Sequence, residues 1–195
     1  MSPKIPNNFY ILSIFLILYT TINPSTNLAT ADDELIRKTC KTTKYIDLCI
    51  SSLKSDPTSS QSDLKGLATI MINVGILNAT DTYSYLSTQL QSSSTSTTTS
   101  DATLKKVVTL CAQKYYNAND SLNSCNDDLS FDNYDYAIMH VTAAADYPNV
   151  CHNAFRRYRG VAYPSALKVR EDGLKKICGV VLGILNQLYN DMGNP

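Results

Sequence analysis

Four long stretches of this sequence carry apolar residues at the three- and four-residue spacing that marks one face of an α-helix. The last stretch is the clearest, with apolar positions Leu167, Leu174, Ile177, Val181, Ile184, Leu185 and Leu188. The chain has only 7 glycines and 7 prolines in 195 residues, so it offers few of the turns that many short strands would need. The pattern predicts an all-α fold, an up-down four-helix bundle preceded by an N-terminal helical hairpin.

The first two bundle helices are predicted from their apolar faces and the polar segment between them. The first runs from Asp63 to about Gln89, with the face Leu64, Leu67, Ala68, Met71, Val74 and Leu77. A serine- and threonine-rich linker over 92–100 follows, and Asp101 is the expected N-cap of the second helix. The face of that helix reads Leu104, Val107, Val108, Cys111, Tyr115, Ala118, Leu122 and Cys125.

The third and fourth bundle helices are bounded by a turn, a proline and a basic loop. A turn is expected over 126–133, and the third helix then carries Ala137, Val141, Ala144 and Ala145. Pro148 lacks a backbone N–H and is expected to stop or kink that helix. A basic loop over 156–164 leads into the last helix.

The N-terminus has the features of a secretory signal peptide. Lys4 precedes an apolar run over 9–19, and the small residues Ala29-Thr30-Ala31 precede Asp32. The run is too short to span a bilayer comfortably, so residues 1–31 are expected to be removed. The predicted mature domain spans 32–195, with the hairpin at 32–60 and the bundle at 61–195.

Export implies an oxidising environment, in which cysteines within reach of each other form disulfides. If the turn between the second and third bundle helices is centred near Phe131, Cys111 and Cys151 are equidistant from it and face each other across the helical hairpin. Cys125 is roughly 21 Å from Cys111 along one helix, beyond the reach of a disulfide. We therefore expect a Cys111–Cys151 bridge, with Cys125 and Cys178 as buried free thiols.

The remaining pair, Cys40 and Cys49, predicts a sharp reversal of the chain. On one straight helix these residues would lie about 13.5 Å apart, too far for a disulfide. They meet only if the chain folds back between them, at Lys44 to Asp47. The bridge would then close a small helical hairpin that has little core of its own.

Charge and motifs argue against several classes of protein. The 17 basic residues equal the 17 acidic ones, whereas nucleic-acid binders are usually strongly basic. There is no C-x-x-C, and the only histidines are His140 and His152, so neither a metal nor another cofactor is expected. Neither G-x-S-x-G nor H-E-x-x-H occurs, and we expect no catalytic residues and no enzyme activity.

Several motifs resemble those of the plant invertase and pectin methylesterase inhibitor family. They are Leu35-Ile36-Arg37-Lys38-Thr39-Cys40, Leu48-Cys49, Ser55-Asp56-Pro57 and Asp63-Leu64-Lys65-Gly66-Leu67-Ala68, and the resemblance extends from about Leu35 to Leu188. It implies a four-helix bundle with an N-terminal hairpin and bridges matching Cys40–Cys49 and Cys111–Cys151, with Cys178 a lone cysteine. It also implies a secreted inhibitor that forms a stoichiometric complex with a cell-wall enzyme and blocks its substrate cleft.

The resemblance implies one of two targets, and the start of the third bundle helix bears on the choice. Invertase inhibitors tend to have Pro-Lys-Phe there, whereas this chain has Tyr134-Asp135-Tyr136, which lacks the proline and has an acid in place of the lysine. That segment favours pectin methylesterase, in the apoplast or cell wall. The alternative is inhibition of an acid invertase of the cell wall or vacuole. An alternative of another class is a helical-bundle carrier of a small apolar ligand.

Three further features are candidate sites. The basic loop with Arg156, Arg157 and Arg159 could attract polyanionic pectin. Asn78 and Asn119 begin N-glycosylation sequons, and Asn119 is expected to be the more exposed of the two. After Cys151 the family usually has an acidic residue before the phenylalanine, whereas this chain reads His152-Asn153-Ala154-Phe155.

Overall fold

A computed structural model describes residues 25–92, 99–158 and 160–193, and the regular secondary structure of these residues is entirely helical. The α-helices are α1 (Ser25–Lys41), α2 (Ile46–Ser55), α3 (Leu64–Ser92), α4 (Thr99–Ser130), α5 (Tyr134–Arg157) and α6 (Ser165–Asp191). A short 3₁₀ helix, Pro57–Gln61, connects α2 to α3. The predicted all-α fold class is confirmed.

The four long helices pack as a ring around one core. Helix α4 packs against α3 and α5, and α6 packs against the same two helices. Helices α3 and α4 run antiparallel, as shown by the contact of Lys65 at the start of α3 with Asp132 just after the end of α4. The stripe predicted on α6 is buried from Leu167 to Leu185, with Leu188 partly buried.

The predicted face of α3 is wrong at Leu77, which is 64% exposed. The buried face instead continues through Gly75, Ala79, Thr82 and Leu86. A Cβ added to Gly75 would lie 3.1 Å from a methyl group of Leu122, so α3 and α4 approach closely there. The apolar pattern misses this core position because glycine has no side chain to count.

Helix α4 is longer at both ends than the sequence predicts. It begins at Thr99, so Asp101 lies in its first turn instead of capping it. Residues 126–130, predicted as turn, are helical because Leu129 is buried in the core and holds the last turn in place. The true turn is only 131–133, where Asp132 has a φ of 61° and the Asn133 N–H donates to the Asp128 carbonyl at 2.9 Å.

Helix α5 does not stop at Pro148, contrary to prediction, and continues to Arg157. Pro148 is itself buried, and the turns beyond it bury Cys151, Ala154 and Phe155. This packing and the Cys151 disulfide outweigh the single hydrogen bond that the proline removes. Arg156 and Arg157, predicted in a loop, therefore lie in the last turn of α5, while Arg159 lies outside the described residues.

Two disulfides connect neighbouring helices. Cys40 and Cys49, with Cα atoms 5.5 Å apart, join α1 to α2. Cys111 and Cys151, with Cα atoms 4.7 Å apart, join α4 to α5. Cys125 and Cys178 are free and buried. Burial raises the pKa of each of these two thiols to about 12, and Asp128 makes a smaller contribution at Cys125, so both are poorly reactive at ordinary pH.

The N-terminal hairpin formed by α1 and α2 sits on a groove in α6 made by two glycines. A Cβ at Gly179 would lie 2.8 Å from the Tyr45 ring, and one at Gly183 would lie 2.9 Å from the Thr43 backbone. Just beyond, the Gln187 side-chain amide donates to the Thr39 carbonyl at 3.1 Å. A larger side chain at either glycine would push the hairpin away from the bundle.

Most of the predicted signal peptide lies outside the described residues, including its apolar run over 9–19. Residues 25–31 belong to the first turns of α1, which continues across the predicted cleavage site before Asp32. Residues 93–98 of the predicted linker also lie outside the description. Among the helices described, none has the length and apolar character needed to cross a membrane.

Candidate functional site

The turn between α4 and α5 positions Tyr134, Asp135 and Tyr136 at one end of the bundle. Tyr134 is 7% exposed and packs against the core, and its hydroxyl donates to Asp132 Oδ1 at 2.9 Å. Asp135 and Tyr136 project outward, and Tyr136 is 59% exposed. Tyr134 therefore supports the turn, while the next two residues are available to a partner.

Asp132 connects this turn to the start of α3. The Lys65 ammonium donates to Asp132 Oδ1 at 2.7 Å and to the Ser130 carbonyl at 3.1 Å. Hydrogen bonds from Lys65 and then Tyr134 lower the pKa of Asp132, so its carboxylate stays charged at acidic pH. These contacts hold the backbone in place before any partner binds, which lowers the entropy cost of association.

Exposed apolar side chains surround Asp135 and Tyr136. Phe131 is 77% exposed and Met139 is 63% exposed. Met192, just after α6, joins Asp135 and Tyr136 in lining a shallow depression of about 160 Å³. We call the group the turn surface; its five residues are Phe131, Asp135, Tyr136, Met139 and Met192. Aromatic and methionine side chains are enriched in protein interfaces, so a cluster of them around one carboxylate suits protein recognition.

Phe131, Met139 and Met192 were not recognised as site residues from the sequence. Tyr136 and Met139 are three positions apart and therefore lie on one helix face, away from the buried Ala137 and Val141. That spacing was a usable signal. Phe131 begins the 131–133 turn directly before Tyr134, so it was also within reach of a local argument. Met192 is brought to the same surface only by the packing of α6 beside α5, which no local pattern encodes.

A second cluster lies at the opposite end of the bundle, around the buried carboxylate of Glu171. Glu171 is 4% exposed and accepts hydrogen bonds from Lys175, Tyr163 and His152, the last through Nδ1 at 3.0 Å. Burial raises the pKa of Glu171, but these three donors outweigh burial and lower it overall. The cluster joins α5, the 158–164 connection and α6. Its sequence signal was the position of Glu171 on the apolar stripe, four residues after Leu167.

Beside this cluster is an apolar cavity of about 300 Å³. Its lining includes Leu86, Leu90, Leu104, Val108, Phe155 and Val161. This volume is at the lower end of the range for small-molecule sites, and it is the feature that bears on the alternative of a ligand carrier. Within residues 25–92, 99–158 and 160–193, no three histidine, cysteine or acidic side chains are grouped to hold a metal ion.

The two sequon asparagines both lie in contacts between helices. Asn78 Oδ1 is buried without a hydrogen-bond partner among the described residues, and Asn78 Nδ2 would be 3.2 Å from a Cβ placed on Gly173 of α6. Asn119 Nδ2, expected to be free for a glycan, instead donates to Thr80 Oγ1 at 2.7 Å. A glycan on either nitrogen would have to displace a neighbouring helix contact.

We therefore predict that Asn78 carries no glycan in the folded protein. An attached sugar would require separation of α3 from α6, because the acceptor nitrogen faces α6. Tryptic peptide mass spectrometry of the protein secreted from plant cells checks this, with the Asn119 peptide as the internal comparison. A glycan found at Asn78 in a protein with the native melting temperature would contradict the packing described for α3 and α6.

Comparison with known proteins assigns a family to this chain. Residues 34–184 match the family described as Plant invertase/pectin methylesterase inhibitor. The chain is 49% identical over 178 residues to the Cell wall / vacuolar inhibitor of fructosidase 2 of Arabidopsis thaliana, covering 90% of this chain and 96% of that protein. It is 37% identical over 153 residues to Pectinesterase inhibitor 28 of Oryza sativa subsp. japonica, covering 77% and 67%.

The fold matches as well. A crystal structure of a mutant form of a pectin methylesterase inhibitor from Arabidopsis superposes with a TM-score of 0.61 at 22% identity, covering 75% of this chain and 92% of that one. The family match and the 49% identity extend over the hairpin and the bundle alike. The chain therefore belongs to the plant invertase/pectin methylesterase inhibitor family.

Proposed function

We propose that this protein is a secreted inhibitor that forms a stoichiometric complex with a plant acid invertase, an enzyme that releases fructose. The observation that carries this target is the 49% identity to an inhibitor of fructosidase across nearly the full length of both proteins. The pectinesterase inhibitors of rice and Arabidopsis are 37% and 28% identical to this chain. The cell wall is the proposed location, and the vacuole is the alternative if the target is vacuolar.

Pectin methylesterase is the second candidate target, and Tyr134-Asp135-Tyr136 is the observation that favours it. This segment is the sequence feature on which the preference for pectin methylesterase was based. The identities support invertase at least as well, because they are spread over the whole chain, whereas the segment is only three residues long. Of these three, Asp135 and Tyr136 are exposed and Tyr134 is buried, so only two can contact a target directly.

The turn surface is the proposed contact with the enzyme. It presents Phe131, Tyr136 and Met139 on a turn that is already held in place by Lys65 and Tyr134. Large side chains on a rigid support are effective anchors because little conformational entropy is lost when they are buried. Such a projecting end can enter a substrate cleft and exclude the substrate, so inhibition requires no chemistry by the inhibitor.

Titration of the purified protein into a fixed amount of enzyme tests the proposal. With a cell-wall or vacuolar invertase above its dissociation constant, we expect sucrose hydrolysis to fall linearly and to reach its minimum at one inhibitor per enzyme. A parallel titration of pectin methylesterase measures the second candidate. Inhibition of pectin methylesterase alone would overturn the invertase assignment, and inhibition of neither would overturn the proposed function.

Asp135→Lys is expected to change the balance between the two targets. It reverses the charge of an exposed residue at the centre of the turn surface, so inhibition of invertase should improve, or inhibition of pectin methylesterase weaken, by about tenfold. Asp146→Lys is the matched control, since it makes the same change at an exposed position farther along α5. Both variants should melt within a few degrees of the native protein. Unchanged inhibition by a folded Asp135→Lys protein would show that this residue does not select the target.

A further inference from the structure

The charges of the bundle are segregated between its two ends. The end with the turn surface carries the carboxylates Asp63, Asp127, Asp128, Asp132, Asp135 and Asp191, with Lys65 as the basic residue of the bundle there. The opposite end, where α4 and α6 begin and α5 ends, holds three carboxylates, Asp101, Glu171 and Asp172, and a larger group of cations, Lys105, Lys106, Arg156, Arg157, Lys168 and Arg170. We call this second group the basic end. The formal net charge of zero conceals this arrangement.

The cations of the basic end are available to a partner. Lys105, Lys106, Arg156, Arg157 and Lys168 are all exposed. The ion pairs found within the described residues involve Asp33, Asp128, Asp132 and Glu171, and none includes a cation of the basic end. Among the carboxylates of this end, Glu171 is buried and already accepts from Lys175, Tyr163 and His152. Asp172 is exposed, but the cations outnumber it, so the surface keeps an excess of positive charge.

Two of these cations lie beside tyrosine rings that remain partly exposed. Lys106 Nζ is 5.8 Å from the centre of the Tyr158 ring, and the Arg170 guanidinium is 4.9 Å from that of Tyr85. The first pair connects α4 to the end of α5, and the second connects α6 to the end of α3. Both rings are therefore held in place by the bundle. A tyrosine ring offers a flat surface for the apolar face of a sugar, and the adjacent cation can pair with a sugar carboxylate.

We propose that the basic end binds a linear polyuronate, a polysaccharide with a carboxylate on each sugar. The cations are spread over three helices, which suits a polymer with single charges at intervals along its length. A compact phosphate would instead need several donors that converge on one point. The tyrosine rings favour a sugar polymer over a polyanion without sugar faces. The polymer and the target enzyme would occupy opposite ends of the bundle, so the polymer site does not depend on the identity of the target. Binding of both at once would hold the inhibitor on the polymer beside its target.

The test measures retention of the full mature protein on immobilised polygalacturonate at 20 and 200 mM NaCl. We expect binding at low salt that weakens at high salt, because exposed charges are screened. Fully methyl-esterified polygalacturonate, which has the same sugars without free charge, should not bind. Arg156→Glu/Arg157→Glu should weaken binding by about tenfold or more. Lys38→Glu/Lys41→Glu is the matched control, with the same change of charge on α1, and should bind as the native protein does.

Lys105→Glu/Lys168→Glu makes the same change from two other helices and should weaken binding by a similar factor. This second variant keeps the test valid if the arginine variant does not fold, as judged by its melting curve. Equal weakening by the α1 control would overturn the assignment to the basic end. Equal binding of the methyl-esterified polymer, or tighter binding of double-stranded DNA or anionic lipid vesicles, would overturn the assignment to a polyuronate. Inhibition of the enzymes is measured on the same variants and should not change.

Discussion

Replacing Cys111 and Cys151 together with alanine should lower the free energy of unfolding by about 4 kcal/mol. The bridge spans 40 positions and joins the first half of α4 to the last third of α5, so its loss gives the unfolded chain a large increase in freedom. It also holds α5 in place beyond Pro148, where one helix hydrogen bond is missing. For a domain of this size, the loss corresponds to a fall in melting temperature of about 10 °C.

Differential scanning calorimetry of three variants separates the bridge from local packing. Cys125→Ala removes a buried thiol without breaking a bridge and reports the cost of lost packing alone. Cys40→Ala/Cys49→Ala removes a bridge of only 9 positions and should cost less, about 2.6 kcal/mol. If the Cys111 and Cys151 double variant melted at the temperature of Cys125→Ala, the bridge would not stabilise the fold as described.

Glu171→Ala should lower the free energy of unfolding by about 2–3 kcal/mol. The change leaves Lys175, Tyr163 and His152 without their shared acceptor and opens a small cavity at the junction of α5, the 158–164 connection and α6. The figure is below that for a fully buried ion pair because Lys175 and His152 remain about one third exposed and can be hydrated. Tyr163→Phe, which removes one donor, should cost about 1 kcal/mol.

The stabilisation by Glu171 should depend on pH with a definite sign. The pKa of Glu171 is lower in the folded protein than its ordinary value of 4.5. The ionised group therefore stabilises the fold fully above that ordinary value, and the contribution is lost as the pH falls through the lower folded pKa. Urea unfolding of the native protein and Glu171→Gln should differ most above about pH 5, and the difference should shrink progressively as the pH falls below 4.5. A constant difference from pH 3 to pH 7 would show that the charge of Glu171 is not what stabilises this junction.

Local patterns predicted the helices, because a buried helix face repeats every three or four residues and each segment carries its own signal. They also predicted that Cys111 and Cys151 lie opposite each other. The position of the turn and the rise per residue determine which residues of two antiparallel helices are adjacent. Local patterns failed where contacts with another helix determine whether a residue is buried or helical. Gly75 is in the core because Leu122 approaches it, and α5 passes through Pro148 because its far end is packed and bridged.

The candidate site was only partly predictable for the same reason. Tyr134, Asp135 and Tyr136 were singled out by comparison with a motif. Tyr134 is three positions before Ala137 and lies on the same buried helix face, a signal that the motif comparison did not use. What the sequence could not show is the contact of Asp132 with Lys65 of another helix, which fixes the turn. Glu171 was not recognised as a site residue, although its place on the apolar stripe of α6 indicated burial. A charged residue on an apolar stripe indicates a buried, hydrogen-bonded cluster, although its charge alone would suggest exposure to solvent.

The seating of the hairpin on Gly179 and Gly183 has a consequence for biosynthesis. Thr39 and its partner Gln187 are 148 positions apart, so the segment made first has its docking surface on the segment made last. At the usual rate of synthesis, roughly 10 s or more separate the two. Through that interval Thr39 and Thr43, buried in the final structure, have no surface from α6 to cover them. The Cys40–Cys49 bridge needs only nine residues of chain to close, so it can keep the hairpin folded back until the last helix arrives.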